Sequence, residues 1–144
     1  MNTNAKPNTA FWIIAVAALL WNIIGVYFWL LEYFLMTDEI RATIPAEQVE
    51  LMANAPAWSM YIYAIAVFGG LLGSLILLLR KRLAIGLFLI SLIAVLLLQL
   101  YWIFAMDLVE VMGPQSLIMP LLVIAVAIFE YFYSKGAARN GWLV

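Results

Sequence analysis

Four long apolar stretches make up most of this 144-residue chain. They cover residues 10–36, 57–79, 83–106 and 116–133. An α-helix needs about 20 apolar residues to cross a bilayer core about 30 Å thick, and each stretch is close to or above that length. The chain is 68% hydrophobic and 10% charged, so its charged side chains are too few to cover the surface of a water-soluble domain. The sequence therefore predicts an all-α fold, with one membrane domain over 1–144 that forms a four-transmembrane-helix up-down bundle.

Basic and acidic residues fall in alternate connections between these stretches. Six of the seven bases lie at the two ends of the chain or between the second and third stretches: Lys6, Arg80, Lys81, Arg82, Lys135 and Arg139. Six of the eight acids lie in the other two connections: Asp38, Glu39, Glu47, Glu50, Asp107 and Glu110. Because Lys and Arg near helix ends resist translocation, this pattern predicts a multi-pass protein of a bacterial inner (plasma) membrane with both termini in the cytoplasm.

The connection over 37–56 is the longest and lies on the predicted outer side. Pro45 suits the first turn of a helix, and Glu47 favours the positive end of the helix dipole. Val49 and Met52 then share one face, which predicts a short amphipathic helix on the membrane surface.

The connection between the second and third stretches consists of Arg80, Lys81 and Arg82. Because this turn is so short, the two stretches should form antiparallel neighbouring helices. The three bases are expected to fix the topology and to lie at anionic lipid headgroups, with about 1 kcal/mol of attraction per residue. The predicted partners are therefore membrane lipids, with a homodimer or a larger membrane complex as a further expectation. The chain has no basic stripe, so nucleic acid is not an expected partner.

The chain contains no cysteine and no histidine. It therefore lacks the thiolate nucleophile, the commonest general base and the commonest metal ligand. We predict no catalytic residue, no metal site and no cofactor, and we expect that the protein is not an enzyme.

Polar side chains within the apolar stretches are the candidates for function. Asn22 lies near the middle of the first stretch, and Glu32 lies nearer its outer end. An unpaired buried amide is costly, and carboxylates in membrane spans are rare and usually face protein. We predict a thin polar seam that opens to the outside, with these further lining residues: Trp29, Ser91, Gln99 and Trp102. The alternative is that the amides hydrogen-bond across helices, a contribution of about 0.6 kcal/mol each.

Two carboxylates, Glu32 and Glu130, lie within apolar stretches. Glu32 is about 13 Å above the middle of its span, which allows it to reach water or to pair with Arg41. Glu130 is predicted to be equally shallow on the inner side, where an ion pair with Lys135 or the basic turn would account for it.

The second stretch carries four small residues in helical register: Gly69, Gly70, Gly73 and Ser74. Small residues let helix backbones approach closely in lipid. They predict internal packing against the first or third helix, and a dimer face is the alternative.

Several segments resemble a known family. They are the runs Phe11-Trp12-Ile13-Ile14, Leu20-Trp21-Asn22-Ile23-Ile24-Gly25, Pro56-Ala57-Trp58, Arg80-Lys81-Arg82 and Tyr131-Phe132-Tyr133-Ser134-Lys135-Gly136-Ala137. Together they resemble an uncharacterised family of small four-helix bacterial inner-membrane proteins, some of which carry an automatic label of sugar transporter. The resemblance implies a four-helix inner-membrane protein and implies no residue roles.

Two functions remain open from the sequence. The first is a non-catalytic accessory or structural membrane protein with a dry interior. The second is a small-solute transporter or ligand-binding membrane protein that uses the polar seam beneath Glu32. Because four helices make a thin bundle, transport would require a homodimer. We favour the first.

Overall fold

The computed structural model describes residues 5–144, and Met1–Asn4 lie outside the described part. The described residues are 83% helical and include no strand. Four helices are long and apolar enough to cross a membrane. These findings confirm the predicted all-α class and the four-helix architecture of a multi-pass membrane protein.

The four long helices are α1 (Thr9–Leu30), α4 (Trp58–Leu78), α5 (Leu83–Leu100) and α7 (Ile118–Arg139). Two of them continue as π-helical segments: α1 through Leu31–Leu35 and α5 through Tyr101–Ala105. The connections contain the short helices α2 (Asp38–Ala42), α3 (Ala46–Asn54) and α6 (Leu108–Met112), and a 3₁₀ turn (Pro114–Leu117) precedes α7.

The fourth long helix ends later than predicted. The sequence places its end at residue 133, whereas α7 continues through Gly136 to Arg139. Ala137 and Ala138 are good helix formers and are buried against the core, so the helix continues past the glycine. The chain turns away at Gly141, whose φ of 78° suits a residue without a Cβ.

The long helices pack in the order α1, α4, α5, α7. Small side chains dominate the core, which lets the helices approach closely. One cluster of buried residues lies toward the end of the bundle that holds Ala5 and Val144: Phe11, Ala15, Leu77, Ala84, Phe88, Ala137, Ala138 and Leu143. A second cluster lies farther along the helices: Ala66, Leu92, Ala94, Val95 and Ala127.

The small residues of α4 face both of its neighbours within the bundle. A Cβ on Gly73 would lie 2.9 Å from the Phe88 ring of α5, and one on Gly69 would lie 3.4 Å from Cβ of Ser91. On the other side of α4, a Cβ on Gly70 would overlap the Asn22 side chain of α1. The glycines therefore set the spacing between α4 and both neighbouring helices.

Arg80 joins the two ends of the described chain. Its Nε donates to the carbonyl oxygen of Trp142, and its Nη2 donates to that of Ala5, each at 2.8 Å. The backbone of Arg80 also accepts from Val144 N at 2.8 Å, while Arg82 N donates to Val144 O at 3.1 Å. We call this arrangement the clasp. The end of the bundle that carries it is the clasp end, and the opposite end is the loop end.

The clasp shows that both described chain ends and the α4–α5 turn lie at the same end of the bundle. The Arg80 guanidinium donates hydrogen bonds to backbone carbonyls in the clasp. From the sequence, Arg80 was expected to lie at lipid headgroups. Lys81 and Arg82 have exposed side chains.

The loop end contains α2, α3 and α6. Arg41 pairs with Asp38 at 3.1 Å, so it is engaged on its own short helix and not by Glu32. Leu51 of α3 is buried. Whether α3 lies on a membrane surface stays a prediction.

Candidate functional site: a buried polar cluster

Three polar side chains from three helices meet inside the bundle. Asn22 of α1, Ser74 of α4 and Glu130 of α7 are 7%, 0% and 6% exposed. Asn22 Nδ2 lies 2.7 Å from Glu130 Oε2 and 3.1 Å from Ser74 Oγ. We call these three residues the polar cluster.

Residues on α1 and α4 position the Asn22 side chain. The carbonyl of Ala18, one turn earlier on α1, accepts from Asn22 Nδ2 at 2.8 Å. On α4, Gly70 leaves the space that the Asn22 side chain fills. The Ser74 hydroxyl donates to the carbonyl of Gly70 at 2.8 Å, which leaves its oxygen free to accept from Asn22.

The Asn22 amide nitrogen has more hydrogen-bond acceptors around it than it has hydrogens. An amide nitrogen carries two hydrogens, yet three oxygens lie 2.7–3.1 Å from Asn22 Nδ2. The shortest of these contacts is with the carboxyl of Glu130. The cluster therefore brings a carboxyl group and a hydroxyl within hydrogen-bond distance of one amide.

The predicted ion pair of Glu130 with Lys135 is wrong. The Lys135 ammonium lies over the Tyr131 and Phe132 rings, 5.3 and 5.8 Å from their centroids. Five positions along a helix turn a side chain about 140° around its axis, so Lys135 and Glu130 face different ways. Over residues 5–144, the ion pair that meets a 4 Å limit is that of Arg41 with Asp38.

The depth of Glu130 explains why the sequence missed the cluster. Counted from a helix end at 133, Glu130 lies at the membrane interface. Counted from the observed end at Arg139, it lies about 13 Å inside the helix. The small residues Ala137 and Ala138 were the available signal that the helix continues.

The other residues of the predicted seam do not join the polar cluster. Glu32 lies ten positions after Asn22, about 15 Å along the helix, and is half-buried. Ser91 donates to the carbonyl of Ala66 at 2.6 Å. Gln99 and Trp102 are half-buried on α5 and on the π-helical segment that follows it. The structure therefore separates Asn22 from the residues with which the sequence grouped it.

Glu32 instead lies in an aromatic region toward the loop end. Trp29 Nε1 donates to the carbonyl of Met60 at 3.1 Å, and the Trp29 ring meets Phe68 edge-on at 5.3 Å. Tyr33, next to Glu32, meets Tyr63 of α4 edge-on with 6.2 Å between ring centroids. These contacts join the outer part of α1 to α4.

The chemistry of the polar cluster is that of hydrogen bonding and proton exchange. One carboxyl, one amide and one hydroxyl offer oxygen ligands, and the carboxyl is the one group among them that can change its charge at ordinary pH. Over residues 5–144, no three His, Cys, Asp or Glu side chains form a group that could hold a metal ion.

Comparison with known proteins gives no relative: no family model, no curated protein and no solved structure matches this chain. The family resemblance drawn from the sequence therefore stays a prediction, and the evidence for function is the geometry of the bundle itself.

Proposed function

We propose that this protein is a non-catalytic accessory or structural protein of a bacterial inner membrane, with both termini in the cytoplasm, that acts through lateral contacts of its helices. The observation that carries the proposal is the internal bonding of the buried polar groups. Within residues 5–144, six polar side chains are buried, and each has a hydrogen-bond partner within the chain: Asn22, Ser59, Ser74, Ser91, Glu130 and Ser134. Because these buried polar groups bond within the chain, none of them is left over to bind a solute.

The lateral surfaces supply the second support. Bulky apolar side chains project outward from α1 and α7, among them Ile13, Leu20 and Phe28 on α1 and Phe129 and Phe132 on α7. A bilayer solvates such surfaces, and they can also pack against helices of a second copy or of another membrane protein. The proposal is that part of this surface is a protein interface.

Photo-crosslinking tests the lateral contact. A photoreactive amino acid at Phe28 or Phe132, which are 51% and 57% exposed, is expected to capture protein in intact membranes. The same group at Ala94, which is 3% exposed inside the bundle, is the matched control and should capture no second chain. Capture of lipid alone at every exposed position of α1 and α7 would contradict the proposal.

A second candidate function is the binding or transport of a small solute near Glu32, in a homodimer. It is favoured by one observation: both π-helical segments lie at the loop end, and they contain Glu32 and Trp102. Irregular helical turns of this kind occur often at functional sites. A thermal-shift screen of the purified protein against sugars, amines and lipids separates the two functions. A soluble ligand that stabilises the wild type but not Glu32→Gln would favour this candidate, and the accessory role predicts none.

A further inference from the structure

The contact between α1 and α7 depends on side chains. The helices pack in the order α1, α4, α5, α7, and the backbones of the outer two come close at few points. They meet where Asn22 bonds Glu130, and again in the buried cluster that contains Phe11 of α1 and Ala137 of α7. The contact that holds α7 against α1 therefore combines an apolar cluster with one buried carboxyl group.

Glu130 has no cation beside it. Its own helix carries two half-buried tyrosines, Tyr131 and Tyr133. It also carries Lys135, whose ammonium lies over two aromatic rings, and Arg139, whose side chain is exposed. Glu130 is 6% exposed, and the hydrogen bond that its carboxyl accepts comes from a neutral amide. A charged carboxylate in such surroundings is strongly disfavoured unless a counter-charge or water accompanies it.

The helices that pack beside Glu130 place no charged side chain next to its carboxyl group. The titratable residue of α1 is Tyr27, which is exposed and lies five positions beyond Asn22. Those of α4 are Tyr61 and Tyr63, about 16 Å or more along the helix from Ser74. Helix α5 has none within Leu83–Leu100. Arg80 at the clasp end bonds the carbonyls of Ala5 and Trp142.

We propose that the polar cluster is a proton-binding site: Glu130 holds a proton while α7 is closed against α1 and releases it when the two helices separate. In the closed bundle the carboxyl is neutral and accepts from Asn22. On opening, its O–H bond breaks, the proton passes to water that enters between α1 and α7, and the carboxylate keeps the electron pair. This inference goes beyond the proposed accessory role and does not rest on it.

The consequence is a bundle whose shape follows pH. Alkaline solution removes the proton and favours the separated, hydrated carboxylate, while acidic solution favours the closed contact. The α4–α5 pair should not respond, because it is held by glycine contacts such as that of Gly73 with Phe88 and by a serine hydroxyl bond, Ser91 to Ala66.

Spin-label distances test this in lipid nanodiscs. The chain has no native cysteine, so cysteines placed at Ile13 of α1 and Phe132 of α7, both exposed, can be labelled cleanly. The distance between them is expected to lengthen as pH rises. A control pair at Leu72 of α4 and Ile90 of α5, also exposed, should keep its distance.

Glu130→Gln keeps the size and hydrogen-bonding capacity of the side chain and removes its charge change. It is expected to abolish the pH response of the α1–α7 distance, while Glu32→Gln leaves that response intact. The infrared band of a protonated carboxyl should be present in the wild type at neutral pH, lost in Glu130→Gln and kept in Glu32→Gln.

The wild-type experiments stand even if Glu130→Gln fails to fold. An α1–α7 distance that is constant across the titration would overturn the proposal. So would a distance that follows sodium concentration at fixed pH, since the site would then bind a metal cation. A carboxyl band that Glu130→Gln leaves unchanged would assign the proton to another residue and has the same effect.

Discussion

Asn22 on α1 and Glu130 on α7 are 108 positions apart in the chain, yet Nδ2 of one lies 2.7 Å from Oε2 of the other. Both side chains are buried, and Ser74 of α4 completes the contact. One hydrogen-bonded cluster thereby joins the first, second and last membrane-crossing helices.

Removing one partner of the Asn22–Glu130 bond should cost more than removing both. Asn22→Leu leaves a buried carboxyl without its donor, and we expect a loss of about 1–3 kcal/mol in the free energy of unfolding. Combining it with Glu130→Leu should recover part of that loss, because no orphaned polar group then remains. Thermal unfolding in detergent of both single variants and the double variant gives the coupling energy, expected to be about 0.5–3 kcal/mol. Additive single effects would mean that the two side chains do not interact.

Gly70→Ala should destabilise the protein. The new Cβ would overlap Asn22 Oδ1, so either α1 must move away from α4 or the amide must leave its acceptors. Overpacking of this kind costs about 1–3 kcal/mol. The matched control is Gly86→Ala on α5, where a Cβ meets nothing within 4 Å. Because alanine is the better helix former by about 1 kcal/mol, the control should unfold at an equal or higher temperature.

Leu143→Ala should unfold at a markedly lower temperature than the wild type. Leu143 is fully buried in the cluster that also holds Phe11, Leu77 and Phe88. Leu→Ala at such a site costs about 2–5 kcal/mol, depending on how far the cavity collapses. Its neighbour Val144 is 55% exposed, so Val144→Ala is the control and should change stability by about 0.5 kcal/mol or less. Equal effects of the two substitutions would show that the tail does not pack on the bundle.

Arg80→Lys should loosen the clasp without altering the charge of the turn. A lysine cannot reproduce the fork that bonds Ala5 and Trp142 together. We expect a loss of about 1–3 kcal/mol, and faster hydrogen exchange at the amide of Val144, which donates to the Arg80 carbonyl. Arg82→Lys, at an exposed side chain of the same turn, serves for comparison and should leave exchange unchanged.

Cysteine labelling should find both chain ends on one side of the membrane. Because the native chain lacks cysteine, single cysteines at Lys6, Asn140 and Glu47 report position directly. The first two lie at the clasp end and should react with a membrane-impermeant maleimide only after the cells are opened. Glu47, at the loop end, should react in intact cells. Labelling of Lys6→Cys and Asn140→Cys from opposite sides would contradict both the clasp and the four-helix topology.

The amino-acid sequence alone determined the class of this protein. Four apolar stretches predict four crossing helices because hydropathy is a local property, set by the side chains of about 20 consecutive residues. For the same reason the boundaries of α4, and those of α1 and α5 taken together with their π-helical continuations, lie within one residue of the predicted ones. The small residues of α4 also predicted close helix contacts, but the sequence did not show which neighbouring helix each residue would face.

The tertiary structure decided which polar groups meet. Whether Asn22 contacts Glu130 or Ser91 depends on the rotation and the end of each helix, and neither is fixed by hydropathy. The error over Glu130 followed from a helix end placed at residue 133, although α7 runs to Arg139. The burial of Leu143 and the clasp around Arg80 join segments far apart in the chain, and no local pattern encodes such contacts because their free energy arises only when the helices have assembled.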